Sequence, residues 1–140
     1  MQNLKKFALF LLLTVFVTSL GIAPAHAQSR LKADIPFDFE LGKTTLKAGT
    51  YGVAVDGQFV ILRGPDGKTV NALLLPGRAD HHHKDEAYLI FTRYGQESFL
   101  NTIAFSVDQT YGLPRSNREK EMMAHIQSGE QLAVLIQPAR

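Results

Sequence analysis

The sequence contains no cysteine among its 140 residues. This absence excludes a disulfide framework, a zinc or iron–sulfur site held by thiolates, and a catalytic thiol. The chain also lacks a serine in a G-x-S-x-G setting and a glycine-rich phosphate-binding loop. Beyond residue 27, no segment approaches the ~20 consecutive apolar residues that a membrane-spanning helix needs. The common sequence signatures of enzymes and membrane anchors are therefore missing from most of the chain.

The charge balance also excludes one class of partner. The whole sequence has 15 Lys and Arg, 13 Asp and Glu, and a formal net charge of +2. Removing Lys5 and Lys6, which lie in a predicted leader, leaves 13 basic residues against 13 acidic ones. A domain without net positive charge lacks the electrostatic footprint of a nucleic-acid binder. We therefore expect no nucleic-acid partner.

The first 27 residues have the organisation of an export signal. Lys5 and Lys6 provide the positive start, residues 7–20 are apolar, and Ala25-His26-Ala27 is an A-x-A cleavage sequence. The apolar run is too short for a permanent membrane span, although an uncleaved anchor is the alternative. We predict a signal peptide over 1–27 and a single β-rich domain over 28–140, exported to the periplasm or out of the cell.

The mature chain begins with a period-two pattern. Apolar residues alternate with polar ones from Leu31 to Leu41, which predicts one half-buried strand. Pro36 lies in its middle and has no N–H to donate, so the strand is predicted to be an edge strand or to be bulged at that point. An exposed edge is a template for strand addition by a partner, and proline and charge restrict such pairing.

Turn signals divide the rest of the chain into hairpins. Asp56-Gly57 joins two β-rich runs over 50–55 and 58–63, which predicts that Val55 faces Gln58. Gly95-Gln96 joins runs over 87–94 and 97–107, with glycine at the first position of a type II′ turn. Both faces of the first hairpin are largely apolar, so we expect each face to be covered.

The end of the chain combines a helix with a final strand. Ser116-Asn117-Arg118-Glu119 is a capping box and predicts a short helix to about residue 127, with Met122, Met123 and Ile126 on its apolar side. Residues 131–137 form the last predicted strand. The predicted fold is mainly β: an antiparallel sandwich or small barrel of about seven strands, with one short helix near the C-terminus.

Four sequence segments carry a family resemblance. They are Ala33-Asp34-Ile35-Pro36-Phe37-Asp38-Phe39 followed by Gly42, then Leu46-x-Ala48-Gly49-Thr50-Tyr51, Phe91-x-x-Tyr94-Gly95, and Leu113-Pro114-x-Ser116-x-Arg118-Glu119-Lys120-Glu121. The chain resembles a group of small exported proteins encoded in soil-bacterial genomes. The resemblance implies export and a single domain. It implies no catalytic residue, because the group has no assigned activity, and the three histidines depart from its usual loop.

The clearest cluster of metal-ligand residue types is Asp80-His81-His82-His83-Lys84-Asp85-Glu86. In an extended segment His81 and His83 project to the same side, and imidazole suits Zn, Cu or Ni. Two ligands form only a weak chelate, so a site would need His125 or a further carboxylate. The alternative is a solvated polar loop. We expect no cofactor.

Three carboxylates alternate on the first predicted strand. Asp34, Asp38 and Glu40 share its outer face. A catalytic carboxylate pair is one interpretation. A solvated strand face, whose negative charges discourage edge pairing, is the favoured one.

Two arginines flank the predicted helix start. Arg115 and Arg118 lie where backbone N–H groups and the helix dipole favour an anion. The alternative, which we prefer, is that they pair with Asp or Glu of a neighbouring strand.

The aromatic residues are predicted to face inward, where they line a ligand cavity or simply fill the core. They are Phe37, Phe39, Tyr51, Phe59, Phe91, Phe99 and Phe105.

These observations favour an exported, non-enzymatic β-domain with a binding or scaffolding role at the cell envelope. Its partner would be a protein or another envelope component. The alternatives are a small-ligand carrier with an interior pocket and, third, a metal-assisted hydrolase that uses the histidine loop.

Overall fold

The computed structural model describes residues 31–77 and 86–139, and it is built almost entirely of strands. The predicted leader, 1–27, lies outside the described residues. Eleven strands and one helix follow in chain order: β1 Leu31–Ile35, β2 Phe39–Leu41, β3 Thr44–Leu46, β4 Gly49–Asp56, β5 Phe59–Arg63, β6 Thr69–Leu73, β7 Leu75–Pro76, β8 Ala87–Tyr94, β9 Glu97–Ala104, β10 Thr110–Gly112, α1 Asn117–His125 and β11 Glu130–Pro138.

The strand pairings lead round a nearly closed barrel. The neighbours run in the order β3-β2-β9-β8-β11-β1-β4-β5-β6, and β10 pairs with both β7 and β9. Because β7 directly follows β6, the β7–β10 pairing closes the ring at one end. The predicted mainly-β fold with one short C-terminal helix is confirmed. Seven strands have five or more residues, and the other four are short pieces that the sequence pattern did not separate.

The prediction of one continuous strand over 31–41, at an edge or bulged at Pro36, is wrong. The chain forms β1 up to Ile35, breaks over Pro36–Asp38 and resumes as β2. β1 lies between β4 and β11, with Ala33 opposite both Tyr51 and Ile136. Pro36 ends the strand because it cannot donate to a ladder on either side. β1 is therefore an interior strand and offers no edge for strand addition.

The β4–β5 hairpin forms, but the register differs from the predicted one. Val55 lies opposite Val60, and Asp56 opposite Phe59, so the loop is Gly57-Gln58. Gly57 has φ +57°, whereas none of the described non-glycine residues has positive φ. The predicted turn would require positive φ at Asp56, which is costly outside glycine. The shift moves each pair by two, so inward and outward faces are unchanged.

The β8–β9 hairpin follows the prediction at its turn and contains a bulge further along. Tyr94 lies opposite Glu97, and Gly95 has φ +62°. Beyond it, Ile90 pairs with Thr102 and Phe91 with Leu100, so Asn101 is an extra residue on β9. The partner on the other side of β9 changes at this point, from β10 at Thr102 to β2 at Phe99.

Aromatic and aliphatic side chains fill the interior. Phe39 and Phe91 are fully buried in this core, and Phe39 packs edge-to-face on Tyr51 and Phe91, with ring centroids 5.3 Å apart in each pair. Such pairs stabilise a core beyond their burial of apolar area. Two members of the predicted inward set lie on the outer face. Phe59 is 49% exposed there. Phe99 lies opposite Thr92, on the face away from Phe91, and is buried there beside Tyr94.

The helix begins as predicted and ends two residues earlier than expected. Ser116 is the N-cap, and its Oγ accepts a hydrogen bond from the Glu119 N–H at 3.1 Å. The predicted apolar side is only partly covered, with Met123 exposed. Glu119 is instead the one residue of α1 that is buried. The last strand, β11, covers the predicted residues 131–137 and directs Ile136 into the core.

Candidate functional site

The histidine cluster lies outside the described residues, because the structure describes nothing from 78 to 85. The proposed ligands His81 and His83 therefore have no position in the fold. Within residues 31–77 and 86–139, no group of three or more His, Cys, Asp or Glu is arranged to hold a metal ion.

The two candidate anion-binding arginines contact carboxylates of the chain. Arg118 makes a bidentate ion pair with Glu97 of β9, with an Nε–Oε2 distance of 2.9 Å. This contact lowers the pKa of Glu97. Arg115 Nε lies 3.7 Å from the Glu119 carboxylate. The pairing with a neighbouring strand that we preferred is confirmed for Arg118, and Arg115 pairs within the helix region.

The polar cluster beneath α1 consists of the buried Glu119 and the half-buried Asn101 and Glu40. Glu119 is 2% exposed, and its carboxylate accepts a hydrogen bond from the amide nitrogen of the bulge residue Asn101. Burial raises the pKa of Glu119 and of Glu40. The side-chain amide oxygen of Asn101, Oδ1, is buried and has no partner within the described structure. The second half of the predicted capping box is replaced, because Glu119 turns into the sheet.

This cluster is better suited to docking the helix than to catalysis. Perturbed carboxyl groups are frequent at active sites, but structural networks perturb pKa values as well. Glu119 lies under its own helix, whereas a general acid or base must come within hydrogen-bond reach of the substrate. The bulge at Asn101 places its side-chain amide where the Glu119 carboxylate of the helix can accept a hydrogen bond from it. The cluster therefore fixes α1 on β9.

The remaining predicted carboxylates close the corner between β1 and β4. The Asp38 carboxylate accepts from the Ala48 N–H at 2.9 Å and pairs with Lys47 at 2.7 Å, and these contacts lower its pKa. Asp34 accepts from the Thr50 hydroxyl. Neither the catalytic pair nor a simply solvated face describes them. These contacts thus join residues 34–38 to residues 47–50 and stabilise the fold.

Two adjoining grooves lie at the end of the barrel that carries the β4–β5 turn. The larger, of about 400 Å³, is lined by Gly57, Gln58, Leu74, Pro76, Gly77, Asp108, Thr110 and Tyr111. The smaller, of about 240 Å³, shares Tyr111 and adds Leu31, Val55 and Phe105. Ligand sites begin near 300 Å³. Both grooves open to the surface, whereas the interior is occupied by core side chains.

The outer edge of β6 is the clearest unsatisfied feature of the described chain. The Leu74 N–H donates to the Gln58 carbonyl at 2.7 Å, and β6 pairs with β5 in the same register. Backbone groups alternate between the two sides of a strand. Val70 and Ala72 therefore direct theirs to β5, while Thr69, Asn71 and Leu73 direct theirs away from it. We call residues 69–73 on this outward side the β6 edge.

β10 covers the same side of the chain only where it meets β7. The Gly77 N–H donates to the Thr110 carbonyl at 3.1 Å, and Leu75 lies opposite Gly112. After Gly112 the chain stays beside β9 and does not continue along β6: the Leu113 N–H donates to the backbone carbonyl of Asn101 at 2.8 Å. Within the described ranges β6 pairs with β5 alone. The barrel is thus closed at β7 and open along the β6 edge.

Apolar side chains flank the β6 edge, and charge is absent from it. Phe59 and Leu73 lie opposite each other on the outer face and are 49% and 38% exposed. The sequence of β6 is Thr-Val-Asn-Ala-Leu. At the other end of the described strand order, the free edge β3 has three residues and lies between Lys43 and Lys47, as protected edges commonly do. The β6 edge is longer, has a lysine at one end alone, Lys68, and has no charge within it.

Sequence reasoning missed this edge, although one signal pointed near it. The apolar outer face of the β4–β5 hairpin predicted a cover, and Phe59 has none among the described residues. No protein-family model, curated protein or solved structure matches the chain. The helix α1 has neither the length nor the apolar character to cross a membrane, and the described chain holds no other helix.

Proposed function

We propose that this chain is an exported, non-enzymatic β-domain that binds a polypeptide at the cell envelope by adding a strand to the β6 edge. One observation carries the proposal: Thr69, Asn71 and Leu73 direct their backbone N–H and C=O groups away from β5, with no partner for them in the described structure. Strand addition supplies those hydrogen bonds, and side-chain pockets on alternate positions supply specificity.

The residues around the β6 edge favour a role in binding a partner strand, because they do not protect the edge against pairing. Natural proteins protect free edges with charge, proline or very short strands. β6 has five residues and none of these devices within it. Phe59 and Leu73 add apolar surface on which an incoming strand can rest its own outward side chains. Export follows from the predicted signal over 1–27 and agrees with the family resemblance.

The enzyme interpretation has less support. The carboxyl groups whose pKa is raised lie beneath α1, and Arg118 is held by Glu97. The hydrolase interpretation depends on His81 and His83, which lie outside the described residues.

A photocrosslinking experiment tests the proposal. We would place p-benzoylphenylalanine at position 71 of the full chain in exporting cells, with position 117 as the control. Asn71 and Asn117 are both exposed asparagines, and only Asn71 lies on the edge. We expect discrete adducts of defined mass at position 71 and none at position 117. Equal labelling at both positions, or none at position 71, would overturn the proposal.

A small-ligand carrier is the second candidate, because the groove of about 400 Å³ exceeds the size at which ligand sites begin. Gln58 and Gln96 occupy the second loop position of the two hairpins, and only Gln58 lines the groove. The fluorescent probe 1-anilinonaphthalene-8-sulfonate should bind the Gln96→Trp variant and lose binding in Gln58→Trp. Unchanged binding in both variants would exclude the groove as its site.

A further inference from the structure

We infer that the strand added to the β6 edge is β6 of a second copy of this chain, in antiparallel pairing about a two-fold axis at Asn71. The inference rests on the proposed function and names its partner. It is carried by the self-complementarity of the edge in hydrogen bonding, in side-chain contacts and in charge.

The spacing of the outward backbone groups is symmetric about Asn71. In the two-fold arrangement Asn71 lies opposite Asn71 of the second copy, and Thr69 lies opposite Leu73. All three residues direct N–H and C=O outward, so each opposed pair exchanges two hydrogen bonds and the interface has roughly six. Every backbone group that β5 leaves free on the edge finds a partner. A pairing shifted along the strand would leave some of these groups unpaired.

The side chains fit the same register. The two Asn71 amides meet at the axis, where each can donate to and accept from the other. Leu73 lies beside the methyl group of Thr69, an apolar contact of the kind that stabilises cross-strand pairs. Val70 and Ala72, which are partly buried against the core, gain cover from the second copy.

The charges near the edge avoid repulsion in this arrangement. β6 has no charged residue. Lys68 precedes the strand, and the two copies of Lys68 are separated by six residues along it, about 20 Å. Arg63 lies opposite Thr69, whereas Asp56 shares a row with Phe59 and Leu73. The two-fold axis therefore places the row with Arg63 of one copy in line with the row that carries Asp56 in the other copy.

The assembly stops at two copies. A two-fold interface uses the same surface on both partners and closes. The other free edge in residues 31–77 and 86–139, β3, is short and flanked by lysines, which opposes extension of the dimer into a fibre. The outer faces that carry Phe59 and Leu73 become one continuous sheet surface across the axis.

Single-cysteine variants test the register directly, because the native chain has no cysteine. In Asn71→Cys the two thiol-bearing residues are directly opposed, with Cα atoms about 5.5 Å apart, within the range of about 4.4–6.8 Å that a disulfide spans. In the control, Thr69→Cys, the two cysteines are four residues out of register, about 13 Å apart. We expect mild oxidation of the purified mature protein to give a disulfide-linked dimer with Asn71→Cys. We expect none with Thr69→Cys alone, and a mixed dimer when Thr69→Cys and Leu73→Cys are combined.

Sedimentation equilibrium of proteins without cysteine separates this inference from the proposed function. The wild-type chain should dimerise with concentration, and Asn71→Lys, which opposes two like charges at the axis, should remain monomeric. Thr45→Lys adds the same charge on β3 and should dimerise like the wild type. A wild-type chain that stays monomeric, or equal crosslinking of Asn71→Cys and Thr69→Cys, would overturn self-pairing. In that case a heterologous adduct at position 71 in cells would still support the proposed function.

Discussion

Mutation of a buried residue usually lowers stability. The buried contact between Glu119 and Asn101 predicts the opposite for Glu119→Gln. Glu119→Gln keeps the size of the side chain and an oxygen that accepts from the Asn101 amide nitrogen. Its new amide nitrogen can donate to Oδ1 of the Asn101 side chain, which is buried without a partner in the described structure. The substitution also removes a carboxylate charge whose burial raises its pKa.

The expected change in stability combines one new hydrogen bond with the loss of one ion pair. The added buried hydrogen bond contributes about 0.5–1.5 kcal/mol. The lost ion pair with Arg115, at 3.7 Å and half exposed on the arginine side, contributes less than about 1 kcal/mol. A third contribution adds to the gain, because the substitution removes a carboxylate whose ionised form is disfavoured by burial. With all three contributions we expect Glu119→Gln to be about 1 kcal/mol more stable than the wild type at pH 7. Glu119→Leu leaves both polar atoms of the Asn101 amide unpaired and should lose about 1–3 kcal/mol.

The pH dependence of unfolding tests independently whether the Glu119 charge destabilises the fold. A carboxyl group whose pKa is raised on folding is destabilising once it is ionised, so its penalty is present above the folded pKa. The penalty disappears as the pH falls below the unfolded value, which is near 4.5 for Glu119. The advantage of Glu119→Gln should therefore shrink between pH 7 and pH 4.

Urea unfolding followed by far-ultraviolet circular dichroism measures these differences. Glu121→Gln is the matched control, because Glu121 lies exposed on the same helix; its stability should stay within about 0.5 kcal/mol of the wild type. A Glu119→Gln variant less stable than the wild type at pH 7, or an advantage independent of pH, would refute the reasoning.

Three further predictions concern other parts of the chain. Gly129→Ala should lose more than about 2 kcal/mol, because its Cβ would lie 2.4 Å from Thr92 Cγ2, whereas Gly112→Ala, with open space at its Cβ, should lose far less in the same urea unfolding assay. Alanine at all three histidines, 81–83, should change stability by less than about 0.5 kcal/mol; a metal-dependent rise in Tm lost in that variant would instead favour a metal site. Intact mass of exported protein should show cleavage after Ala27.

The β4–β5 hairpin shows which parts of a fold sequence patterns can determine. Alternation identified both strands and their inward residues, including Val53 and Leu62. It did not determine the register, because a shift of two residues leaves every side chain on the same face. The turn decided it, since Gly57 accepts positive φ and Asp56 does not adopt it.

Edges are harder to predict than strands, because an edge is defined by what lies beside it. Pro36 suggested an edge in 31–41, but β1 ends before the proline and is paired on both sides. The β6 edge exists because β10 ends at Gly112, after pairing with β7 and before reaching β6. No local sequence pattern predicts where that pairing stops. The capping pattern identified Glu119 as part of the helix start. Its burial against the Asn101 bulge could be seen only in the tertiary structure.

Amide hydrogen exchange along β6 is the most direct test of the central claim that this edge is free for strand addition. In dilute, monomeric protein the N–H groups of Val70 and Ala72 are bonded to β5 and should exchange slowly, while those of Thr69, Asn71 and Leu73 should exchange rapidly. Raising the protein concentration should protect the second set and leave the first unchanged. Slow exchange at all five residues in the monomer would contradict the account, because the edge would then already be covered.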